Sequence, residues 1–388
     1  MLANQSIENP TAPEAPLAWD KEDLLPEKPA DAEYGYLQGK SPHPCTKDEL
    51  IARCQSKGLM HQIRLVWHPG APRLVPVSQV DFLFEVLKEK AIASKRSLLG
   101  FTIFQAAIWA LMLFMVSNQE RQNWHLFMLV VFGVIPLCEH WFSLRKLKRS
   151  QWEENSTQIR GARFAVWMDM QRAWFTGALL GIILLISVSQ LFVGLQRSVD
   201  LAGLNKQAVW AGEWWRLFTA VMLHAGPLHL ILNASALFVL GKFVEVTMSR
   251  FHMLLVFLIS ALLGSVFSLL FLEATSLGAS GGILGFVGFL WVLGYRQKNC
   301  TPSNFAKSLA ISILILAAIG IVGASFIDNA AHLGGLVGGM LLGMILIPKK
   351  NITLPLTPSP SIRVVGLISL TLLIICACVI LKLFFFRS

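Results

Sequence analysis

Apolar and polar residues are sharply segregated along this chain. Nine apolar runs, at about 98–117, 125–144, 177–195, 226–244, 252–272, 279–295, 307–326, 329–347 and 364–386, are each about long enough to cross a hydrocarbon layer of roughly 30 Å. A backbone inside that layer must satisfy its own polar groups, so the runs predict helices. The residues upstream read differently. Residues 1–33, rich in Pro, Ala and acidic side chains, predict a disordered tail. Residues 34–96 predict a small soluble α+β domain. In it, Thr46 and Glu49 have the spacing of a capping box that opens a helix. Ile63, Arg64, Leu65, Val66 and Trp67 predict a strand, followed by a turn at His68, Pro69 and Gly70.

The remainder divides by the spacing of the runs. Residues 97–144 hold two spans, the second carrying Pro136 and expected to kink. Glu139 and His140, near the end of that run, are expected to reach the interface. Residues 145–176 combine Arg145, Lys146, Lys148, Arg149, Arg160, Arg163 and Arg172 with Trp152, Trp167 and Trp174. This pattern predicts a basic connector lying on the membrane surface. Residues 177–347 hold six closely spaced spans, 348–363 a linker with Pro355, Pro358 and Pro360, and 364–388 a last span.

Composition agrees with that division. An apolar content of 54% with 14% charged residues excludes an ordinary soluble protein of 388 residues. The net charge of +10 is dispersed between spans, which argues against nucleic acid and leaves the lipid bilayer as the expected surroundings. Lys88, Lys90, Lys95 and Arg96, the basic connector, Lys242 with Arg250, Arg296 with Lys298 and Lys307, and Lys349 with Lys350 and Arg363 all fall on one side of a nine-span topology. Since Lys and Arg collect in cytoplasmic loops, that side and the N-terminus are expected to be cytoplasmic. The loop at 196–216 on the other side still carries Arg197, Lys206 and Arg216. The six cysteines follow no metal or disulfide spacing. No signal peptide is expected, because the first apolar run starts near Ser97.

The same topology gathers a few polar residues. Ser280 falls just inside the outer end of the run at 279–295, and His332 just inside the outer end of the run at 329–347. His229 and Asn233 lie in the outer half of the run at 226–244, four residues apart and so on one helix face. Polar groups facing lipid are costly, so these four are expected to face one another or water. The chemistry they offer is nucleophilic. A serine hydroxyl attacks only when a base within reach takes its proton, and a neutral histidine does so near neutral pH. The other His and Asn donors, with the backbone N–H of Ser280, suit an oxyanion. No carboxylate is placed to orient the base; Asp328 is expected to cap the helix of His332 instead. The pattern is a Ser–His dyad without metal or cofactor, since no His-Glu-x-x-His motif occurs and no pair of aspartates lies within the spans. A transporter also places polar groups in spans and remains the competing class, although no internal repeat is visible.

With those residues in place, 177–347 resembles the rhomboid intramembrane serine proteases. Glu213-Trp214-Trp215-Arg216 is similar to the Trp-Arg motif of the family's first outer loop. His224, His229 and Asn233 match its His-x4-His-x3-Asn pattern, and Gly278-Ala279-Ser280-Gly281 its Gly-x-Ser-Gly motif. Ala331-His332-Leu333-Gly334-Gly335 resembles its Ala-His motif in a form common among bacterial members. The resemblance implies an all-α polytopic membrane protein with a six-helix rhomboid core, two extra spans before it and one after, and the small α+β domain in front. It implies Ser280 as nucleophile, His332 as general base, and His229 and Asn233 with Ser280 at the oxyanion hole. His224 and Arg216 would shape the second core helix and the first loop, and Glu245 would be a structural carboxylate. Gly281, Gly282 and Gly335 would permit close helix approach. The implied substrates are single-span membrane proteins, and the implied location is the bacterial cytoplasmic membrane. An inactive relative that only binds membrane proteins is the alternative. The chain departs from the family at Leu284, where an aromatic ring usually packs on the catalytic imidazole. Residues 34–96 resemble bacterial GYF-like domains, through the helix, Leu65-Val66-Trp67 and Val75-Pro76-Val77, which suggests an adaptor for a cytosolic partner.

Overall fold

The computed structural model describes residues 17–21, 24, 27–29, 32–38, 41–55, 63–71, 73–150, 156–349 and 352–386. A small α+β unit comes first: strands β1 (Tyr34–Gln38) and β2 (Ser41–Cys45), helix α1 (Lys47–Gln55), then β3 (Ile63–Trp67) and β4 (Val75–Pro76). The strands form an antiparallel sheet in the order β2-β1-β3-β4. The capping box is formed: Thr46 N–H donates to Glu49 Oε2 at 2.8 Å and Glu49 N–H to Thr46 Oγ1 at 3.2 Å. Tyr36, Leu50, Cys54 and Val66 make a minor core that also takes in Leu83. Leu83 belongs to α2 (Asp81–Met115), a helix of 35 residues. The helix that carries the first apolar run therefore starts well before 98. Nothing in the Lys- and Ala-rich stretch before it stops a helix, so α2 runs unbroken from the sheet unit into the apolar segment.

The second apolar run is longer than its pattern suggested. Helix α3 (Gln119–Leu129) passes through a π turn at Val130–Val134 into α4 (Ile135–Arg149). Pro136 lacks an N–H and crowds the preceding turn, and the wider π turn absorbs it. Lys95 Nζ donates to Glu139 Oε1 at 2.8 Å, tying α2 to α4.

Three segments outside the main helices are held more tightly than their sequences suggest. Of the supposed tail at 1–33, residues 1–16 lie outside the described residues, but Leu17 and Trp19 are buried. Trp19 packs on Phe164 and Trp167 of α5 (Ser156–Met170), with ring centroids 4.8 and 5.0 Å away, and Arg163 Nε donates to Trp19 O. The connector is thus held by more than a surface: α5 is packed between the tail and the main core. Likewise, residues 352–359 are a pinned strap. Cys300 Sγ donates to Ile352 O, Ile352 N–H to Gln297 Oε1, and Leu356 N–H to Thr247 O.

The main bundle comprises α6 (Trp174–Val193), the short helices α7 (Leu195–Ala202), α8 (Lys206–Trp210) and α9 (Arg216–Thr219), then α10 (Pro227–Thr247), α11 (Arg250–Phe271), α12 (Ser280–Arg296), α13 (Phe305–Val322), α14 (Asn329–Leu346) and α15 (Pro360–Phe386). Among the described residues, eight helices are long and apolar enough to cross a membrane; α12, at 17 residues, is a shorter apolar helix at the centre. The chain is an integral multi-pass membrane protein. α12 packs chiefly on α14 and α11. A Cβ on Gly335 would sit 2.0 Å from Gly281 O, so only glycine lets these two backbones meet. Between apolar helices in lipid, such close packing takes the place of the hydrophobic effect.

Candidate active site

Helices α10, α12 and α14 all start at the same end of the bundle, and each carries polar residues near its start. Pro227 opens α10, where its missing N–H costs nothing. His229 follows in the first turn. The Ala225 N–H donates to His229 Nδ1 at 3.3 Å, which leaves the proton of the neutral ring on Nε2. That nitrogen faces Gly278. A Cβ there would lie 3.1 Å from His229 Nε2, 2.8 Å from His229 Cε1 and 3.9 Å from Ser280 Oγ. Gly278 also has a φ of +127°, which side chains rarely tolerate. Glycine is required twice over, and it keeps open the space between imidazole and hydroxyl.

Ser280 is the first residue of α12. Ala279 at the N-cap supplies no side-chain acceptor, so the first N–H groups of the helix are left without a side-chain cap, at the positive end of its dipole. His332 is in the first turn of α14, whose N-cap is Asp328: Asp328 Oδ1 accepts from Ala331 N–H at 2.8 Å. Ala331 O lies 3.5 Å from where a Cβ of Gly281 would stand, which sets the starts of α14 and α12 side by side. The fold therefore brings Gly278, Ser280 and His229 together and sets the backbone next to His332 against Gly281. Leu284, one turn after Ser280, is buried. Asn233 is buried too; Nδ2 donates to His229 O at 2.9 Å, and Oδ1 has no partner among the described residues.

His224 precedes α10, with its ring 5.2 Å from that of His229. Its backbone is clamped by Gln190 of α6, whose Oε1 accepts from His224 N–H at 2.9 Å and whose Nε2 donates to His224 O at 3.2 Å. Burial, reinforced by the neighbouring His229 ring, pushes the His224 imidazole down to about 3, so it is neutral. Arg216 and Glu245 stand outside the cluster. Arg216 is buried and pairs with Glu213 at 2.6 Å, while its other nitrogens donate to Gly203 O and Asp200 O at the end of α7. Glu245 lies at the far end of α10 and accepts from Phe175 N–H, Thr176 N–H and Thr176 Oγ1, capping α6 from a neighbouring helix.

Two features escaped the sequence reading. Gln190 was signalled only as an amide inside an apolar run, which is the mark of a residue with a job. Lys206 looked like a stray cation in an outer loop. It is buried, and its Nζ donates to Ser268 Oγ at 2.9 Å, Ala274 O at 2.6 Å and Ser276 Oγ at 2.6 Å. Ser268 Oγ in turn donates to Asp328 Oδ2, the cap of the helix that carries His332. Burial pushes Lys206 down to about 8, with Asp328 opposing the shift.

A multi-pass helical bundle with serine, histidine and asparagine gathered at one end of three helices defines a membrane protein with an enzyme-like polar cluster. A family model described as the Rhomboid domain matches residues 211–349. YdcA, a rhomboid relative from Bacillus subtilis (strain 168), is 33% identical over 143 residues, covering 36% of this chain and 71% of that protein. The chain belongs to the rhomboid family. It is also 36% identical over 141 residues to Rhomboid protease GluP of Bacillus subtilis (strain 168), covering 36% of this chain and 28% of GluP. RHOMBOID-like protein 6, mitochondrial, of Arabidopsis thaliana is 38% identical over 154 residues, covering 38% of this chain and 48% of that protein. The chain thus spans less than half the length of these last two relatives.

Proposed function

We propose that this chain is a serine endopeptidase that cuts single-span membrane proteins in or near the bilayer. In this reading Ser280 Oγ attacks the scissile carbonyl carbon while His332 takes its proton. The oxyanion is held by the Ser280 N–H, His229 Nε2–H and the second hydrogen of Asn233 Nδ2. Collapse breaks the C–N bond, with His332 passing the proton to the leaving amine. Water, deprotonated by the same imidazole, then cleaves the acyl ester and frees Ser280. The observation that carries this reading is the gap kept open by Gly278, with a histidine donor on one side and the Ser280 hydroxyl on the other. The names of the relatives support the same class of activity.

Residues 177–347 then form the protease core, and the spans within 97–144 and 364–388 are additions to it. The unit at 34–96 serves as a cytosolic adaptor, with the N-terminus in the cytoplasm. A reporter fused after residue 120 checks the orientation: it should be extracytoplasmic, and a cytoplasmic signal overturns it.

A fluorophosphonate probe on purified protein tests the chemistry. Covalent labelling should appear in the wild type, vanish in Ser280→Ala and weaken in His332→Ala. Equal labelling of wild type and Ser280→Ala sinks the assignment. A relative that only binds membrane proteins would give neither Ser280-dependent labelling nor cleavage of a co-expressed single-span substrate.

A further inference from the structure

At the opposite end of the bundle from Ser280 lies a cavity of about 520 Å³, lined by Arg172, Arg250 and Arg363 together with Glu245, Ser249 and Trp167. The three arginines come from separate segments. Arg172 lies between α5 and α6, Arg250 is the first residue of α11, and Arg363 is in the first turn of α15. Among the described residues none of the three is in an ion pair with a carboxylate; the pairs formed involve other cations. The carboxylate of Glu245 is directed elsewhere, since it accepts three hydrogen bonds from Phe175 and Thr176 at the start of α6. Bias of basic residues towards one membrane face explains arginines at helix ends. It does not explain why three of them converge on one cavity, where they repel one another.

Their stacking sharpens the point. The Arg250 guanidinium lies 5.2 Å from the Phe175 ring and 5.1 Å from the Phe251 ring, and that of Arg172 lies 5.5 Å from the Trp174 ring. Stacked guanidiniums keep their N–H edges free, in the fork geometry that matches phosphate oxygens. The start of α11, a helix of 22 residues whose His252 N–H is capped by Ser249 Oγ, adds the positive end of its dipole at the same place. Beside the cavity in sequence, Trp174 (69% exposed) and Val364 (56% exposed) offer apolar surface to acyl chains.

We infer that this cavity binds the phosphate group of an anionic phospholipid, held between Arg172, Arg250 and Arg363. The inference does not depend on the protease reading. A lipid seated there joins the α5–α6 junction, the α10–α11 turn and the start of α15, and so fastens the last span to the core.

The test uses full-length protein, stripped of lipid in detergent and titrated with phosphatidylglycerol, phosphatidylcholine or inorganic phosphate. Melting temperature and native mass spectrometry provide the readouts. Phosphatidylglycerol should raise the melting temperature saturably and remain bound in the mass spectrum, and phosphatidylcholine should do neither. Combining Arg172→Gln, Arg250→Gln and Arg363→Gln should weaken phosphatidylglycerol at least about tenfold, as expected for loss of charged bidentate contacts. Should that variant fail to fold, single Arg172→Gln and Arg363→Gln changes should each weaken it part of the way. Lys298→Gln, Lys307→Gln and Lys349→Gln remove equal charge elsewhere at the same end of the bundle and should leave binding unchanged. Equal loss in this control, or equal binding of phosphatidylcholine, overturns the site. A response to inorganic phosphate without any to phosphatidylglycerol overturns the lipid as its source.

Discussion

Two polar clusters lie near the starts of α10, α12 and α14, and they are built in opposite ways. Around Lys206, every strong donor is used: three acceptors surround its ammonium group, and Ser268 carries the chain on to Asp328. Around Ser280, capacity is left over. Asn233 Oδ1 and His224 Nε2 are buried without partners among the described residues, and the start of α12 has no side-chain cap. Saturated polar groups in a low-dielectric interior hold a structure in one arrangement. An unused acceptor such as Asn233 Oδ1 adds no such rigidity, and the uncapped N–H groups at the start of α12 are donors free to bind negative charge that appears during a reaction. The contrast separates what holds the cluster from what would act in it, using residues a few turns apart.

The comparison breaks first at Ser280. Ser280→Ala should lower substrate cleavage by on the order of 10³-fold or more while leaving the melting temperature unchanged, as measured by cleavage assay and thermal scan. Parallel loss of fold would place Ser280 in the holding class. Asn233→Ala comes next, with a loss in kcat of about 10²-fold. Because it removes an orphaned buried oxygen, its stability should hold or rise slightly. A large drop in melting temperature would show that this amide serves the structure.

Lys206→Met should do the reverse, costing about 2–3 kcal/mol of stability through the lost charged hydrogen bonds. A double-mutant cycle with Asp328→Asn should then show coupling between the two positions, and additivity would deny that the network reaches α14. The smallest effect concerns pH. His224 ordinarily titrates near 6.5 in an unfolded chain, but its folded value is about 3. Between those values the unfolded chain binds a proton that the folded one refuses, so its contribution is complete above about 6.5 and falls as pH drops towards 3. Melting temperature should decline from about pH 7 to about pH 5, and the slope should flatten in His224→Asn.

What could be read from the sequence was what repeats locally or ends visibly. Apolar runs located the helices of the bundle, and run ends put Ser280 and His229 at one level, on either side of Gly278. Capping chemistry read correctly at Thr46 and Asp328, since a cap and its helix are neighbours in sequence. The features that did not show depend on distant partners. Lys206 meets Ser268 across 62 residues, and Arg163 meets the backbone of Trp19 across 144. No periodicity encodes such pairs, so a buried cation looked like a loop charge and a docked tryptophan like part of a tail. Strand β2, Ser41–Cys45, was hidden for a different reason: its two prolines argue against a strand, yet they are tolerated because the strand lies at the sheet edge.

The unbroken helix α2 has a mechanical consequence. At about 1.5 Å per residue its 35 residues make a rod of roughly 52 Å, some 20 Å longer than the hydrocarbon layer is thick. The sheet unit is therefore mounted on a stiff mast rather than leashed by a string. Its height and bearing relative to the bilayer are set by the helix, and a pull or twist applied to that unit is delivered to the span as torque.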